Sequence, residues 1–424
     1  MQRELFSTTS ISASATDLLP IAAAYHGEPI FYFENQNLAI VGVGTAAELV
    51  SCGPNRFGEA SREALALLAS IRSVGSAEAD RMVVGGFAFS NENRASATWR
   101  DFPALRLVVP RLLWVRQAGI CRLTVTWAAG CANRLESGRS VEPQARAVNF
   151  ALKRNLIPCE RELWRQRVEC ARDLIAAKVL SKVVIARSVE LLASEPIDPM
   201  VIVNAARAAR PACFSFWISS AETSFVGSSP ELLVKVDGAN VRSGALAGSA
   251  PRGATPDDDR RFGQALLASD KNRNEHKFVV SAIRDALERV ADLSYAPETP
   301  ELMRLPEAQH LFTPVTGQLR QWRSALEVAG LLHPTPAVCG VPLRTARTLI
   351  ERSEPERGWY TGGVGWMNAA GNGEFAVALR AALIEGQRMV AWAGAGIVDG
   401  SDPGAEFDET ELKLTALLRS SNLE

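Results

Sequence analysis

Arg380 and a group of carboxylates near the carboxyl end have the residue types and spacing of a site for a small anion and a hard cation. Arg380 ends an alternating row of small residues in the predicted strand 374–384, and a guanidinium can grip a carboxylate through two parallel hydrogen bonds. Glu406, Glu409 and Lys413 share one face at the start of the last predicted helix. One or two carboxylates are enough for Mg²⁺, which keeps most of its water ligands. A solvent-facing arginine and an ordinary acidic first helical turn are the structural alternatives.

Lys182 and Glu231 have the side chains of a general base and a general acid. Lys182 begins the predicted strand KVVIAR, and partial burial could make it a base, although strand-end lysines are more often solvated. Glu231 follows a strand and a proline turn in SSPELL. Burial among leucines would keep this carboxyl protonated, whereas the alternative is a carboxylate in solvent. The two residues lie on separate predicted elements, so no local pattern brings them together.

Three further segments could contact a ligand. Gly248 and Ser249 lie in SGALAGSAPRG, a small-residue turn whose N–H groups could bind a carboxylate or phosphate, although such turns are more often only turns. Glu275 lies near the edge of the apolar stripe of a long helical tract. With Glu409 it would supply two carboxylates from two helices, which is enough for a metal ion. Gly394, in GAGI, would let a ligand approach the backbone.

The composition disfavours several classes of protein. The chain has 424 residues and 47% hydrophobic content, enough for a large core. Its net charge of −1 predicts no nucleic-acid partner. No apolar run approaches the ~20 residues of a membrane helix, and the amino terminus has no apolar core of a secretion signal, so we expect a cytoplasmic protein without a membrane partner. The 7 cysteines form no CxxC and the 4 histidines no HExxH, which disfavours a disulfide frame or a zinc site.

Strand patterns mixed with long helices, without regular βαβ order, predict an α+β fold with antiparallel sheets. Residues 28–49 predict two strands followed by a helix start, and Pro110 predicts an edge or a bulge. Residues 257–292 predict one long helical tract. We expect a single structural domain, in which 1–150 is an amino-terminal part packed on the core and 151–424 is the catalytic region.

Nine motifs, in this order, resemble those of the chorismate-binding enzyme family. They cover about residues 155–418 and are KVVIAR, SSPELL, ALAGSAPRG, KNRNEH, LHPTPAVCGVP, RGWYTGGVGW, GEFAVALR, GAGIV and EFDETELKL. The amino-terminal part resembles the family more loosely, through FYFENQ, VVGGFAF and FPALRLVVPR. The resemblance implies one large α+β chorismate-binding fold, with antiparallel sheets packed together and flanked by helices, and an enzyme that rearranges or substitutes chorismate.

Lys182 indicates the branch of the family. Members that add water carry this lysine, whereas those that add ammonia usually lack it. Aminodeoxychorismate synthases of one class carry a lysine where this chain has Ala247. The chain therefore resembles isochorismate synthase, an isomerase in which water enters at C2 while the C4 hydroxyl leaves. The product would feed siderophore, salicylate or menaquinone biosynthesis.

The resemblance also implies a role for each matching residue. Lys182 would activate the water, and Glu231 would protonate the departing hydroxyl. Glu275 and Glu409 would hold Mg²⁺ with Glu406 beside them, and the ion would neutralise the ring carboxylate. Tyr360 and Arg380 would bind the enolpyruvyl carboxylate. The implied substrate-pocket residues are Gly248, Ser249, His310, Tyr360, Arg380, Gly394 and Lys413.

Salicylate synthase, which adds pyruvate elimination in the same pocket, is the nearest alternative. Such members often have a carboxylate where this chain has Asn272 and a threonine where it has Ser249, so both positions favour isochorismate synthase. An anthranilate-type subunit would need ammonia from a glutaminase partner, and none is expected. A non-catalytic binding protein is disfavoured by the joint presence of Lys182, Glu231, Glu275, Arg380 and Glu409. We expect a monomer, since no coiled-coil repeat is present.

Overall fold

Nine α-helices and one short 3₁₀-helix, Ala97–Trp99, lie in the part of the chain that the structure describes. The computed structural model describes residues 4–12, 17–25, 27–74, 80–92, 96–129, 152–155, 159–220 and 222–418. The α-helices, α1 to α9, are Leu19–Ala24, Arg56–Ser70, Glu160–Ala176, Pro199–Ala209, Pro256–Ala268, Asp270–Glu288, Ala325–Leu332, Leu343–Ser353 and Pro403–Leu418.

Twenty-one strands within the same described residues form one hydrogen-bonded network. All of its pairings are antiparallel except that of β1 with β4. The strands, β1 to β21, are Leu5–Ser12, Ile30–Asn35, Leu38–Ser51, Arg72–Ser73, Met82–Phe87, Leu105–Gln117, Ile120–Ala128, Leu152–Arg154, Lys182–Ala193, Phe214–Ser220, Thr223–Ser229, Leu232–Asp237, Asn240–Pro251, Ala291–Tyr295, Glu301–Arg304, Ala308–Leu319, Gly340–Val341, Gly363–Asn368, Gly373–Val377, Ala381–Glu385 and Arg388–Ile397.

Strand β6 pairs with β3, β5 and β7, and two long branches of the network begin at β3 and β5. Branch A runs β3–β2–β10–β11–β20–β21–β9. Branch B runs β5–β18–β19–β12–β13–β16. The chain crosses from branch B to branch A between β19 and β20, and Arg380 lies at this crossing. The predicted α+β class with antiparallel sheets is therefore confirmed.

The hydrophobic core has a central layer between the two branches and a further layer on the outer face of each branch. Aromatic residues of branch A, such as Phe33, Phe216 and Phe225, pack with Val364 and Ala376 of branch B to form the central layer. Helices α1 and α4 cover the other face of branch A, and α2, α6 and α7 cover that of branch B. Helices α3, α8 and α9 pack at β9 and β21. Burial of these apolar faces stabilises the fold.

Three predicted elements differ from the structure. The tract 257–292 is broken at Ser269, which ends α5 and caps α6 by accepting a hydrogen bond from Asn272 N–H. The predicted strand 374–384 is broken at Arg380, whose φ is +48°. The predicted helix start within 28–49 is instead the end of the long strand β3, because that end pairs with β6.

Pro110 lies opposite a β-bulge rather than at a sheet edge. The register between β3 and β6 shifts between Thr45 and Ala47, and Thr45 pairs with Pro110. Pairing also crosses the proposed boundary at residue 150, because β2 pairs with β10 and β5 with β18. The division into 1–150 and 151–424 stays a prediction about domains. No helix in the described ranges is long and apolar enough to cross a membrane.

Candidate active site

One cavity is lined by most of the residues predicted to form a site. It contains about 690 Å³ of space that atoms do not fill, part of it open to solvent. Lys182 contacts the lining residue Glu275, and Glu406 lies three residues before Glu409 on α9. The predicted residues in the lining are Glu231, Gly248, Ser249, Glu275, His310, Tyr360, Arg380, Gly394, Glu409 and Lys413.

Lys182 is the first residue of β9 and is fully buried, with 0% exposure. Its Nζ lies 3.0 Å from Oε1 of Glu275 on α6 and has no well-directed hydrogen bond among the described residues. Gly396 of β21 passes directly over this pair, and a Cβ there would overlap Glu275 Oε1 and lie 3.3 Å from Lys182 Cε. The solvated strand-end alternative is therefore wrong.

Glu231 lies between β11 and β12, with 4% exposure. Its backbone is fixed on both sides, since its N–H donates to Ser229 Oγ and its carbonyl accepts from Val377 N–H. Burial raises the pKa of its carboxyl to about 8, against the lowering influence of Lys182, Arg380 and Lys413. The carboxyl is thus mostly protonated at neutral pH, as a general acid must be.

The turn at Gly248 is a bulge that directs polar groups into the cavity. The register between β13 and β16 shifts between Ala247 and Ser249, and Gly248 adopts φ +76°. Ser249 pairs with His310 across the strands, and its Oγ lies 3.0 Å from His310 Nδ1. Burial lowers the pKa of His310 to about 3, so the ring is neutral. Asn272 of α6 packs against this turn.

Helix α9 presents carboxylates and a lysine to the cavity. Glu409 Oε1 lies 2.6 Å from Lys413 Nζ, which also donates to the carbonyl of Gly394 at 2.9 Å. Burial raises the pKa of Glu409, but the charge and hydrogen bond of Lys413 outweigh it, so the net pKa lies below the usual range. Burial and the charge of Glu409 raise the pKa of Glu406, whose Oε1 accepts from Lys271 Nζ at 2.7 Å.

The carboxylates Glu275, Glu406 and Glu409 fit a hydrated divalent cation. Two of them line one cavity, and the charge of Glu409 disfavours ionisation of Glu406, a repulsion that a cation would relieve. Over the described ranges, no three His, Cys, Asp or Glu side chains converge closely enough to hold a metal alone. Mg²⁺ needs only one or two carboxylates, because water and substrate oxygens complete its octahedron.

Tyr360 and Arg380 line the cavity, and Tyr360 is held by stacking. Its ring stacks on Trp392 with centroids 6.1 Å apart, and burial raises its pKa to about 12. Arg380 is 8% exposed, and its carbonyl accepts a hydrogen bond from Ser228 N–H at 3.2 Å. The alternating row of alanines before Arg380 does not line the cavity. Ala376 and Ala378 instead pack in the central core layer.

Sequence reasoning missed a buried ion pair that joins two sides of the cavity. Arg357 donates from Nε to Glu354 Oε2 at 2.8 Å, and both side chains are buried. Arg357 also donates to the carbonyls of Val184 and Val338, and Glu354 accepts from Ala186 N–H. The pair therefore ties β9, which begins with Lys182, to the segment before Tyr360. The two residues lie three apart in the segment after α8, but their contacts with β9 join elements that are distant in sequence, and no local pattern indicates those contacts.

Comparisons with known proteins show the family of the chain. A family model described as "Chorismate binding enzyme" matches residues 2–421. Isochorismate synthase MenF of Bacillus subtilis is 36% identical over 347 residues, 80% of this chain and 74% of the relative. The salicylate biosynthesis isochorismate synthase of Pseudomonas aeruginosa is 32% identical over 98% of this chain and 90% of its own. The solved structure of MenF, the menaquinone-specific isochorismate synthase from Escherichia coli, has a TM-score of 0.81 and 27% identity, covering 99% of this chain and 94% of that one.

Proposed function

We propose an activity from the premise that this chain belongs to the family of chorismate-binding enzymes. The protein is an isochorismate synthase, which isomerises chorismate to isochorismate. Similar proteins named for this activity cover most of the chain at 32% to 36% identity. The observation that carries the proposal is a fully buried lysine, Lys182, beside a cavity that also holds the protonated carboxyl of Glu231.

Lys182 and Glu231 move the two protons of the reaction. Lys182, in its neutral form, takes a proton from the water that attacks C2, and the new C2–O bond forms. The ring double bond shifts as the C4–O bond breaks. Glu231 donates its proton to the departing C4 hydroxyl, which leaves as water. One water enters and one leaves, so the reaction is an isomerisation without an oxidant or a second substrate.

Arg380 and Tyr360 anchor the substrate through one of its carboxylates. The guanidinium of Arg380 supplies two parallel donors, and the hydroxyl of Tyr360 a third. Burial keeps Tyr360 protonated, so it donates rather than repels. Backbone groups at Gly248 and Gly394 close the cavity around the ring. These contacts hold C2 and C4 towards the base and acid, which is the positioning that catalysis requires.

Glu275 and Glu409 would hold Mg²⁺, with Glu406 beside them. The bound ion would neutralise the ring carboxylate and keep it from repelling the glutamates. Lys182 and Lys413 accompany the two carboxylates at 3.0 and 2.6 Å. With the ion bound, Mg²⁺ would balance the charges of Glu275 and Glu409. The two lysines could then contact the polar substrate.

Product analysis tests this proposal directly. The purified protein is incubated with chorismate and Mg²⁺, and the products are separated by chromatography. We expect isochorismate without salicylate or pyruvate, and no amine product when ammonium salts are added. Salicylate with pyruvate would identify a salicylate synthase instead. An unchanged chorismate peak under all conditions would contradict any catalytic function.

A further inference from the structure

Behind Arg380, a carboxylate and a second arginine are buried in contact with each other. Glu307 lies immediately before β16, and its Oε1 accepts a hydrogen bond from Arg210 Nε at 2.9 Å. Glu307 and Arg210 have side-chain exposures of 6% and 4%. Arg380 Nε lies 4.0 Å from the same Oε1. Arg380 lines the cavity whereas Glu307 and Arg210 do not, so Glu307 approaches Arg380 from the protein interior.

This arginine–glutamate–arginine group carries one more positive charge than negative. Within the described residues that line the cavity, Lys413 has its own carboxylate, Glu409, at 2.6 Å. Arg380 instead shares Glu307 with Arg210, and 4.0 Å is too long for a hydrogen bond. Glu307 thus positions the guanidinium of Arg380 without neutralising it. The guanidinium keeps its charge and its hydrogen-bond donors for the carboxylate of a ligand.

Building on the proposed function, we infer that Glu307 is a positioning residue for Arg380. Glu307 attracts the guanidinium from behind and leaves its other donors facing the cavity. Arg210 is the counter-cation that prevents Glu307 from neutralising Arg380 completely. The group sets the affinity for the carboxylate of the substrate, and it takes no part in proton transfer because neither Glu307 nor Arg210 lines the cavity.

Three variants test the arrangement through the separation of KM from kcat. E307Q leaves two buried arginines without their shared carboxylate, and we expect KM for chorismate to rise roughly tenfold, with kcat within about threefold of wild type. In R210M, Glu307 pairs with Arg380 alone, so KM should rise by roughly threefold. The double variant R210M/E307Q again has one uncompensated arginine, and its KM should fall below that of E307Q.

E34Q is a matched control at another carboxylate that two arginines share. Glu34 Oε1 lies 2.7 Å from Arg116, and Glu34 Oε2 lies 3.2 Å from Arg207, and none of the three lines the cavity. We expect E34Q to leave KM unchanged, whatever it does to thermal stability. A general loss of stability would lower the active fraction in every variant, whereas it would not produce partial recovery in R210M/E307Q.

The outcomes separate this inference from the proposed function. An E307Q or R210M enzyme with wild-type KM, or a double variant whose losses simply add, overturns the positioning role while chorismate turnover by wild type still supports the function. If wild type forms no isochorismate, the proposed function fails. Calorimetric binding of chorismate to wild type, E307Q and R210M then decides the inference: weaker binding by both variants supports it, and equal binding overturns it.

Discussion

Two groups of side chains at the same cavity differ in whether they have a close partner of opposite charge. The paired group is Lys182 with Glu275 and Lys413 with Glu409, whose ion-pair distances are 3.0 and 2.6 Å. The neutral group is Glu231, His310 and Tyr360, which burial shifts towards their uncharged forms. The difference is a close partner: the paired group has an opposite charge at 3.0 or 2.6 Å, whereas for Glu231 burial outweighs the attraction of Lys182, Arg380 and Lys413.

This contrast assigns different tasks to the two groups. The paired group can exchange one partner for another, because a cation or an anionic substrate can replace either member of an ion pair. The neutral group can donate a proton or a hydrogen bond without adding charge to the cavity. A reaction that adds water on one side and expels a hydroxyl on another needs both kinds of environment.

Removal of Lys182 from the paired group should have the largest effect. Lys182→Ala removes the proposed base, and we expect kcat to fall by about 10²–10⁴-fold, the usual contribution of a general base. Turnover of chorismate by the purified, folded variant is the measurement. Lys153→Ala, an exposed lysine on β8 that pairs with the same strand, is the control and should leave kcat unchanged. Wild-type turnover by Lys182→Ala would contradict the assignment.

The neutral group predicts a decline of activity on the alkaline side. The raised pKa of Glu231 means that its proton is present below about pH 8 and lost as the pH rises through that value. We therefore expect kcat/KM to fall by about tenfold per pH unit well above pH 8. Glu231→Gln should lose activity and this alkaline limb together.

Glu374 supplies the control for that profile. It is another buried carboxyl whose pKa burial raises, but it pairs with Lys235 outside the cavity. Glu374→Gln should therefore retain the alkaline limb near pH 8. A profile that is flat to pH 10 in the wild-type enzyme would show that Glu231 does not control the rate.

Substitution of Glu409 tests whether Mg²⁺ can bind this carboxylate, and its expected effect is smaller. Glu409→Gln keeps the shape of the side chain but removes a charge that would otherwise attract Mg²⁺, and we expect roughly 10–100-fold weaker binding of the ion. Calorimetric titration with Mg²⁺ measures this without substrate. Asp408→Asn is the neighbouring control, because Asp408 is exposed and pairs with Arg161. Equal affinity in Glu409→Gln and Asp408→Asn would exclude Glu409 as a ligand.

The fold class and the residues that line the cavity could be predicted from the sequence more fully than the residues that support them. Lys182 and Glu231 could be named because their motifs resemble a known family, whereas their burial depends on strands far away in sequence. Arg380 was expected inside a continuous strand, since apolar alternation continues through it. The break arises because the chain crosses there between two sheet branches, which is a tertiary requirement without a local signal.

The supporting residues were the least predictable. Glu307 and Arg210 look like ordinary loop and helix-end charges, and only the fold brings them behind Arg380. Glu354 and Arg357 lie three residues apart, which is compatible with a local ion pair, but their hydrogen bonds to β9 depend on the fold. Ion pairs between distant elements depend on packing, so composition and periodicity do not indicate them.

At Gly396 the cavity is bounded by backbone and not by a side chain that could change its rotamer. Because the glycine lies against Lys182 and Glu275, the boundary on that side is the peptide backbone of β21 itself. Peptide groups in a hydrogen-bonded sheet cannot swing aside as a side chain can, so this boundary stays in place while ligands enter and leave. A single methyl group at this position would meet the carboxylate of Glu275 and force that side chain away from Lys182.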